Sequence, residues 1–264
     1  MPDSSEIVEV LQKMLTESTG TFFLVFVGCG GTIATNSGGE YMLKAGPVVN
    51  ALIWGATMMV LMYSLGHFSD GFFNPAITLT LSQVPLCKAV IYVGAQIFGS
   101  MSGSFFLYLT LDATSPEYLQ NVEMMLTRPT GSIYAAFLLE TFGTFVLALV
   151  ISDVVRDRKE GRTTSGLAVG GVAFLNVIIS GPISGASMNP ARSLGPAIVF
   201  WKYTCLWIYL LGPIAGALGG CFLYHLLRSS KTSRVAPVPA NLADAGIPIG
   251  DSYRILIINA SQYS

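Results

Sequence analysis

The sequence predicts an all-α membrane protein with six transmembrane helices and two re-entrant half-helices, arranged as an inverted repeat. Three observations lead to this fold class. Charged residues make up only 11% of the 264 residues, whereas soluble domains carry about a quarter. Several long stretches contain no charged residue at all, and about 20 apolar residues are enough to cross a bilayer as a helix. Two short motifs also occur twice in the chain.

Six stretches are long and apolar enough to be spanning helices. They lie at about residues 17–36, 47–66, 89–111, 133–152, 166–181 and 206–227. The fifth contains fewer apolar residues than a helix surrounded by lipid needs, which indicates a place inside a helix bundle. Residues 1–16 and 229–264 flank the spans and are more polar, and we expect the second of these segments to be flexible.

Two further apolar segments are too short to span. Each follows an Asn-Pro-Ala motif and is about eight to ten residues long, so at about 1.5 Å per residue it reaches only half-way through the bilayer. Backbone that turns back at this depth is stable only when it is buried in protein or lines a wet cavity. The segments therefore indicate a pathway. The motif residues are Asn74, Pro75, Ala76, Asn189, Pro190 and Ala191.

The chain repeats itself in the same order. A Glu-x-x-Gly-Thr-Phe sequence begins at Glu17 and again at Glu140, and the Asn-Pro-Ala motif recurs 115 positions after its first occurrence. Each half, at about residues 17–111 and 133–227, contains three predicted spans. Because three is odd, the two halves must cross the membrane in opposite orientations, as an inverted repeat.

Basic residues indicate the orientation of the chain. One side of the predicted topology carries most of them: Lys13, Lys88, Arg156, Arg158, Lys159, Arg162, Arg228, Lys231 and Arg234. The opposite loops carry only Lys44, Arg128 and Lys202. Since basic loops stay in the cytosol, we expect both termini to be cytosolic.

The paired motifs carry the strongest functional signal. Asn is a favoured N-cap and Pro suits the first helical turn, so each motif opens a helix. Inversion brings the two helix N-termini together near mid-membrane, and each carries roughly half a positive charge. This positive focus would oppose cations and protons, and the side chains of Asn74 and Asn189 could donate hydrogen bonds to a passing solute. The alternative is two ordinary capped helices.

Arg192 follows the second motif directly and is the only basic residue between Thr163 and Trp201. A charge at membrane depth usually faces a water-filled cavity, so we expect Arg192 on the wall of a pore. The alternative is an interfacial Arg that reaches the lipid headgroups.

Four further polar residues have open roles. Glu17 and Glu140 occupy matching places in the repeat, where they could form a proton relay; we favour support of the neighbouring half-helix through hydrogen bonds. His67 could contact the cytosolic mouth of the pore or make a plain structural hydrogen bond. Asp70 could regulate that mouth by pairing with the basic residues at 156 and 158, as an exposed ion pair worth about 0–1 kcal/mol.

Other classes of function find little support. There is no basic patch for nucleic acid, and the four cysteines have no metal-ligand spacing. We expect no metal, no cofactor and no enzymatic activity. A coupled transporter would also use inverted repeats and broken helices, but its only candidate titrating groups would be Glu17 and Glu140. A closed structural protein would leave two converging polar half-helices unexplained.

Together these pieces resemble the major intrinsic proteins, the aquaporin family, over about residues 10–228. The signature segments are Ser69–Thr78 and Ser184–Gly195. Ser64–His67, Gly181–Arg192 and Leu11–Lys13 look like the nodulin-26-like proteins of plants. The predicted spans and the basic residues give a cytosolic segment at 1–16, a channel domain at 17–228 and a cytosolic tail at 229–264. The resemblance implies a homotetramer with one pore per subunit.

The resemblance further implies a constriction formed by four side chains. The matching positions are Trp54, Val177, Ala186 and Arg192. This set is similar to that of the subgroup that passes water, glycerol and ammonia, whereas water-only members carry His in place of Val177. We therefore expect a passive channel for water and small uncharged solutes such as glycerol, with ammonia or small neutral metalloid acids as further candidates. The loop at Asp70 departs from the Ser-Gly-Ala-His usual in the plant group.

Overall fold

The computed structural model describes residues 4–36, 46–82, 84–159 and 165–232, and these ranges contain helices and no strand. In chain order the helices are α1 (Ser4–Asn36), α2 (Pro47–Ser64), α3 (Gly66–Ser69), α4 (Pro75–Leu81), α5 (Leu86–Leu109), α6 (Tyr118–Met125), α7 (Ile133–Lys159), α8 (Ser165–Ser184), α9 (Pro190–Val199) and α10 (Leu206–Thr232). Met1–His225 forms one compact unit and Leu226–Ser264 a second. The described part of the second unit is the last turns of α10.

Six of these helices are long and apolar enough to cross a membrane, namely α1, α2, α5, α7, α8 and α10. The predicted all-α fold with six transmembrane helices is therefore confirmed. The ends of the helices differ from the predicted spans, because apolar content marks the membrane while backbone hydrogen bonding continues beyond it. Helix α1 begins at Ser4 instead of residue 17, and α7 continues to Lys159.

Ion pairs stabilise the polar beginning of α1. Lys13 Nζ lies 2.9 Å from the carboxylate of Glu9 one turn earlier, a spacing that favours a helix. Lys88 Nζ, in the first turn of α5, donates to Glu6 Oε1 at 2.5 Å. The second contact ties the start of α1 to α5, so residues 4–16 continue the helix of the first span.

The inverted repeat is visible in the way the helices pack. Helix α5 crosses α1 so closely at Gly99 that a Cβ atom there would lie 2.1 Å from the Ser18 carbonyl oxygen. Helix α10 crosses α7 in the same way, since a Cβ atom at Gly216 would lie 2.1 Å from the Thr141 carbonyl oxygen. Only glycine permits backbones to approach this closely. Ser18 and Thr141 directly follow Glu17 and Glu140, so the two crossings are equivalent.

Helices α4 and α9 are the two predicted half-helices, with 7 and 10 residues. Helix α4 packs against α5, α9 packs against both α5 and α1, and the two half-helices contact each other. The two short helices α3 and α6 lack a long apolar pattern, and they were not expected from the sequence. Helix α3 leads into the first motif, and α6 lies in the connection between α5 and α7.

Candidate pore

Each half-helix begins with a capped Asn-Pro-Ala turn. Asn74 Oδ1 accepts a hydrogen bond from Ala76 N at 3.0 Å. Asn189 Oδ1 accepts from Ala191 N at 3.0 Å and from Arg192 N at 3.3 Å. These bonds satisfy backbone N–H groups that the first helical turn would otherwise leave without partners. Both asparagines are buried.

Crossed hydrogen bonds join the two N-termini. Asn74 Nδ2 donates to the carbonyl oxygen of Met188 at 2.8 Å, and Asn189 Nδ2 donates to that of Phe73 at 2.7 Å. The residue before each asparagine thus accepts from the asparagine of the other half. An amide nitrogen carries two protons, so each crossed bond uses one and the second can face a solute. Sequence reasoning considered only the solute as acceptor.

The residues that supply those carbonyls have unusual backbone conformations. Phe73 has φ +46° and Met188 has φ +52°, in the left-handed region that side chains disfavour. Such conformations cost about 1–3 kcal/mol each and persist only where surrounding contacts impose them. The contacts here are carboxylates: Phe73 N donates to Glu17 Oε2 at 2.7 Å, and Met188 N donates to Glu140 Oε2 at 2.6 Å.

Glu17 has three further donors. Phe72 N donates to Oε1 at 3.2 Å, Ser69 Oγ donates to Oε1 at 2.7 Å, and Gln96 Nε2 donates to Oε2 at 2.6 Å. The side chain is fully enclosed, so these bonds replace the water that a carboxylate would otherwise require. Glu17 therefore fixes the turn that precedes α4.

Glu140 is surrounded in a closely similar way. Ser187 N donates to Oε1 at 2.9 Å and Ser184 Oγ donates to the same atom at 2.7 Å. Ser184 stands five residues before Asn189, as Ser69 stands five residues before Asn74. A serine five residues before each motif asparagine is a sequence signal that could have identified Ser69 and Ser184 as partners of the two carboxylates.

A narrow cavity of about 40 Å³ lies where the half-helices meet. Since one water molecule needs roughly 10–15 Å³ on this scale, the cavity has room for only a few molecules in file. It brings together both motif asparagines and all four side chains predicted to form a constriction: Asn74, Asn189, Trp54, Val177, Ala186 and Arg192. Most of the remaining wall is apolar, including Leu24, Met58 and Ile151.

Arg192 is held at the edge of this cavity by two groups. Its Nη1 donates to the carbonyl oxygen of Met125 at 2.7 Å, and its guanidinium carbon lies 4.9 Å from the centre of the Trp54 ring. The second contact is a cation–π interaction. Trp54 is fixed in turn, because its Nε1 donates to Thr32 Oγ1 at 3.2 Å. Arg192 is only 4% exposed, and its Nε has no hydrogen-bond partner among the described residues.

Val177 and Ala186 are both buried and contribute small apolar groups to the cavity wall. Ala186 belongs to the turn before α9, where it adopts φ +49° and its N–H donates to Ser184 Oγ at 3.1 Å. The backbone of this turn is thereby fixed by the same serine that contacts Glu140.

His67 and Asp70 lie apart from this cavity. Both are exposed, and the His67 ring centre lies 3.9 Å from that of Phe68. Asp70 ends α3 with φ +70° and lines a separate small cavity that Lys13 and Tyr92 also line. The side chains of the basic residues at 156 and 158, proposed as partners of Asp70, lie outside the described residues.

Two residues that contribute to the site, Gln96 and Met125, were not predicted from the sequence. Gln96 joins Glu17 to Thr78 Oγ1, to which it donates at 2.7 Å. Met125 acts through its main-chain carbonyl, which any residue could supply, so no sequence signal marks it. Across the described ranges, no group of three His, Cys, Asp or Glu side chains is placed to hold a metal ion.

An inverted repeat of spanning helices whose half-helices meet at a narrow cavity, with polar motif residues in a mainly apolar wall, defines an integral, multi-pass membrane channel. The chain belongs to the major intrinsic protein family, whose model matches residues 4–224. This family consists of channels and contains no enzymes, so the predicted class of protein and the predicted lack of enzymatic activity are confirmed.

Curated relatives refine the position within the family. The chain is 42% identical over 230 residues to a "Probable aquaporin NIP-type" of Nicotiana alata, covering 86% of this chain and 82% of that one. It is 40% identical over 229 residues to "Nodulin-26" of Glycine max, covering 86% and 81%. The predicted resemblance to nodulin-26-like proteins is thus confirmed.

A solved structure shows the same fold. The aquaglyceroporin from Plasmodium falciparum superposes with a TM-score of 0.72 at 24% identity, covering 85% of this chain and 99% of that chain. At this level of identity the match establishes the architecture of the helices.

Proposed function

We propose that the protein is a passive channel for water and glycerol-sized uncharged solutes, with Asn74, Asn189 and Arg192 as the donors that a solute meets. One observation carries this proposal: a single narrow cavity contacts both motif asparagines and Arg192. Such a wall, mainly apolar with a few hydrogen-bond donors, suits small solutes that replace their hydrogen bonds to water with hydrogen bonds to the protein one at a time.

Exclusion of ions follows from the charges around the cavity. Two helix N-termini converge there, each with roughly half a positive charge, and Arg192 adds a full one. A cation or hydronium ion would meet repulsion from all three groups. A neutral molecule has no such penalty, and its oxygen atoms accept from the free amide protons of Asn74 and Asn189.

We assign the constriction to Trp54, Val177, Ala186 and Arg192. The Trp54 ring gives an apolar wall for a carbon chain, while Arg192 is held beside it and can donate to hydroxyl groups. Val177 and Ala186 are small enough to leave room for a three-carbon solute. The name aquaglyceroporin carried by the superposed structure, and the aquaporin names of the curated relatives, support water and polyols as solutes.

Glu17 and Glu140 serve as structural supports in this proposal. Among the contacts described for their carboxylates, every partner is a backbone N–H, a serine hydroxyl or the Gln96 amide, none of which titrates near neutral pH. A proton relay needs neighbouring groups that accept and release protons. This surrounding favours a passive channel over a proton-coupled transporter.

The arrangement of the chain in its membrane is also proposed. The distribution of basic residues supports cytosolic termini, with His67 and Asp70 at the cytosolic mouth. We propose a channel domain over residues 17–228 with flanking segments at 1–16 and 229–264. A homotetramer with one pore per subunit is the expected assembly, because the resemblance to the aquaporin family implies it.

Stopped-flow light scattering of proteoliposomes tests the function. We expect rapid water efflux and rapid glycerol entry, neither saturating with solute concentration nor changing with an imposed pH gradient. Flux that follows the pH gradient would indicate coupling, and permeability equal to that of empty liposomes would indicate a closed structural protein. Chloride and potassium currents under the same conditions should equal those of empty liposomes.

A further inference from the structure

The connection between α5 and α7 crosses over the second half-helix. We call residues 118–130 the strap; it consists of α6 and the extended residues that follow it. Two of its residues contact the first turn of α9. Met125 contributes the carbonyl oxygen that accepts from Arg192, and Thr127 Oγ1 donates to Ser193 Oγ at 2.8 Å.

An ion-pair cluster joins the strap to the other end of α9. Glu123 Oε1 accepts from Lys202 Nζ, and Lys202 N donates to the Ala197 carbonyl oxygen at 3.0 Å just after the helix ends. Arg128 Nη1 lies 2.7 Å from Glu123 Oε2, as an ion-pair contact without the alignment of a hydrogen bond. One carboxylate therefore faces two cations from two segments of the chain.

Glu123 and Met125 belong to the same turn of the strap. Leu126 N donates to the Glu123 carbonyl oxygen at 3.2 Å, which closes that turn. The Met125 side chain is fully buried, and its carbonyl oxygen also receives the Cys29 thiol at 3.8 Å. The position of this carbonyl thus depends on the strap being held down at both sides of Met125.

Arg192 has few other restraints. Its Nη1 donates only to Met125, its ring contact is with Trp54, and its Nε has no partner in the described part of the chain. A displacement of the Met125 carbonyl would therefore free the guanidinium group to move across the cavity.

We propose that Glu123 is a positioning residue for the constriction: by binding Lys202 beyond the end of α9, it holds the Met125 carbonyl where Arg192 must donate. The proposal rests on the assignment of Arg192 to the constriction. A polyol has several hydroxyl groups that must reach hydrogen-bond donors at fixed positions, whereas a water molecule can bind one donor at a time. A fixed guanidinium group therefore matters more for glycerol than for water. Loosening it should reduce glycerol flux more than water flux.

The test is a double-mutant cycle with Glu123→Gln and Lys202→Gln, measured as the ratio of glycerol to water permeability in the same proteoliposomes. We expect each single variant to lower the ratio by about twofold to fivefold, the size expected for one exposed ion pair. The double variant should lower it no further than Glu123→Gln alone, because Lys202→Gln removes an interaction that Glu123→Gln already removes. Glu117→Gln makes the same chemical change at an exposed residue just before α6 and should leave the ratio unchanged.

Glycerol and water are both uncharged, so the loss of a surface charge should not by itself change the ratio of their permeabilities. An unchanged ratio in both single variants, or fully additive effects in the double variant, would overturn the role of Glu123. A parallel Arg192→Ala variant separates the two proposals. If Arg192→Ala changes the ratio and Glu123→Gln does not, only the positioning role fails; if wild-type protein passes no glycerol, both fail.

Discussion

Helices α4 and α9 start alike but carry different residues three positions after the asparagine. Asn74 and Asn189 both accept from the N–H group two residues later and make the same crossed bond to the opposite half. At the third position α4 has Ile77, fully buried, and α9 has Arg192, which lines the cavity. Symmetry thus builds the meeting point of the half-helices, while in the proposed function a departure from symmetry, Arg192, would supply the selectivity.

The turns before the two half-helices show the same principle. Asp70 and Gly185 occupy matching places and both have positive φ, +70° and +85°. Each turn is fastened by a carboxylate, but only Glu17 also receives a side-chain amide, that of Gln96. The turn before α9 is fastened additionally by Tyr209 Oη, which donates to the Ser184 carbonyl oxygen at 2.5 Å.

The largest effect is expected where the halves are alike. Asn189→Asp and Asn74→Asp each replace the amide that donates to the opposite carbonyl with an acceptor, leaving buried groups without partners. Such a loss is worth about 1–3 kcal/mol, so we expect water permeability to fall by about tenfold or more, and cation exclusion to weaken. Proteoliposome swelling and potassium currents measure both, and two variants with equal losses would support the symmetry. Wild-type water flux and ion exclusion in either folded variant would refute the role of the crossed bonds.

A smaller effect is expected from substitutions at the third position after each asparagine, and it should differ between the two halves. Arg192→Ala removes the charge and the donor at the constriction, so we expect weaker exclusion of cations and a changed ratio of glycerol to water permeability. Ile77→Ala at the matching position of α4 removes only buried apolar volume and should affect thermal stability without changing selectivity. Potassium currents and paired glycerol and water fluxes, measured for both variants, test this difference. A similar loss of selectivity in both variants would contradict the assignment of the filter to the second half.

The carboxylate supports should matter mainly for stability. Glu140→Gln and Glu17→Gln keep the volume but offer one acceptor oxygen in place of two, so a backbone N–H or a serine hydroxyl loses its partner. Leaving one buried donor without a partner costs about 1–3 kcal/mol of stability. We therefore expect the midpoint of thermal unfolding in detergent to fall by about 3–10 °C for each variant. Unchanged midpoints for both would show that the carboxylates do not fix the turns, and a pH-driven flux lost in these variants would revive the proton relay.

The smallest effect is expected at Asp70, which we have proposed to lie at the cytosolic mouth. Asp70→Asn removes the charge but keeps a residue that tolerates positive φ, so the variant isolates electrostatics. An exposed ion pair is worth about 0–1 kcal/mol, and we expect less than about a fivefold change in permeability, larger in low salt than in high salt. Asp112→Asn, an exposed acid in the connection between α5 and α6, is the control. Equal permeability of Asp70→Asn and wild type at all pH values and salt concentrations would exclude a gating role.

The sequence predicted the parts of this molecule that depend on composition and repetition. Charge-free stretches marked the six spans, and the repeated motifs marked the half-helices and their inversion. The four predicted constriction residues line one cavity with the motif asparagines. Their assignment to a filter rests on family resemblance and stays a prediction.

Other features could not be read from the sequence, for physical reasons. The carbonyls of Phe73, Met188 and Met125 act through the main chain, which is the same in every residue. Positive φ at Phe73 and Met188 contradicts local preference, and the N–H groups that support it donate to carboxylates far away in the chain. Helix α6 has eight residues and no long apolar pattern, so its place against α1 depends on tertiary contacts alone.

The most direct test of the account is the ratio of glycerol to water permeability in Val177→His, measured by paired stopped-flow water efflux and radiolabelled glycerol uptake in the same vesicles. His adds volume and a hydrogen-bonding group at the buried wall of the cavity, beside Trp54 and Arg192. We predict that glycerol flux is lost while water flux is kept or raised. An unchanged ratio, in a variant present at wild-type density, would mean that Val177 does not line the constriction and would contradict the proposed filter.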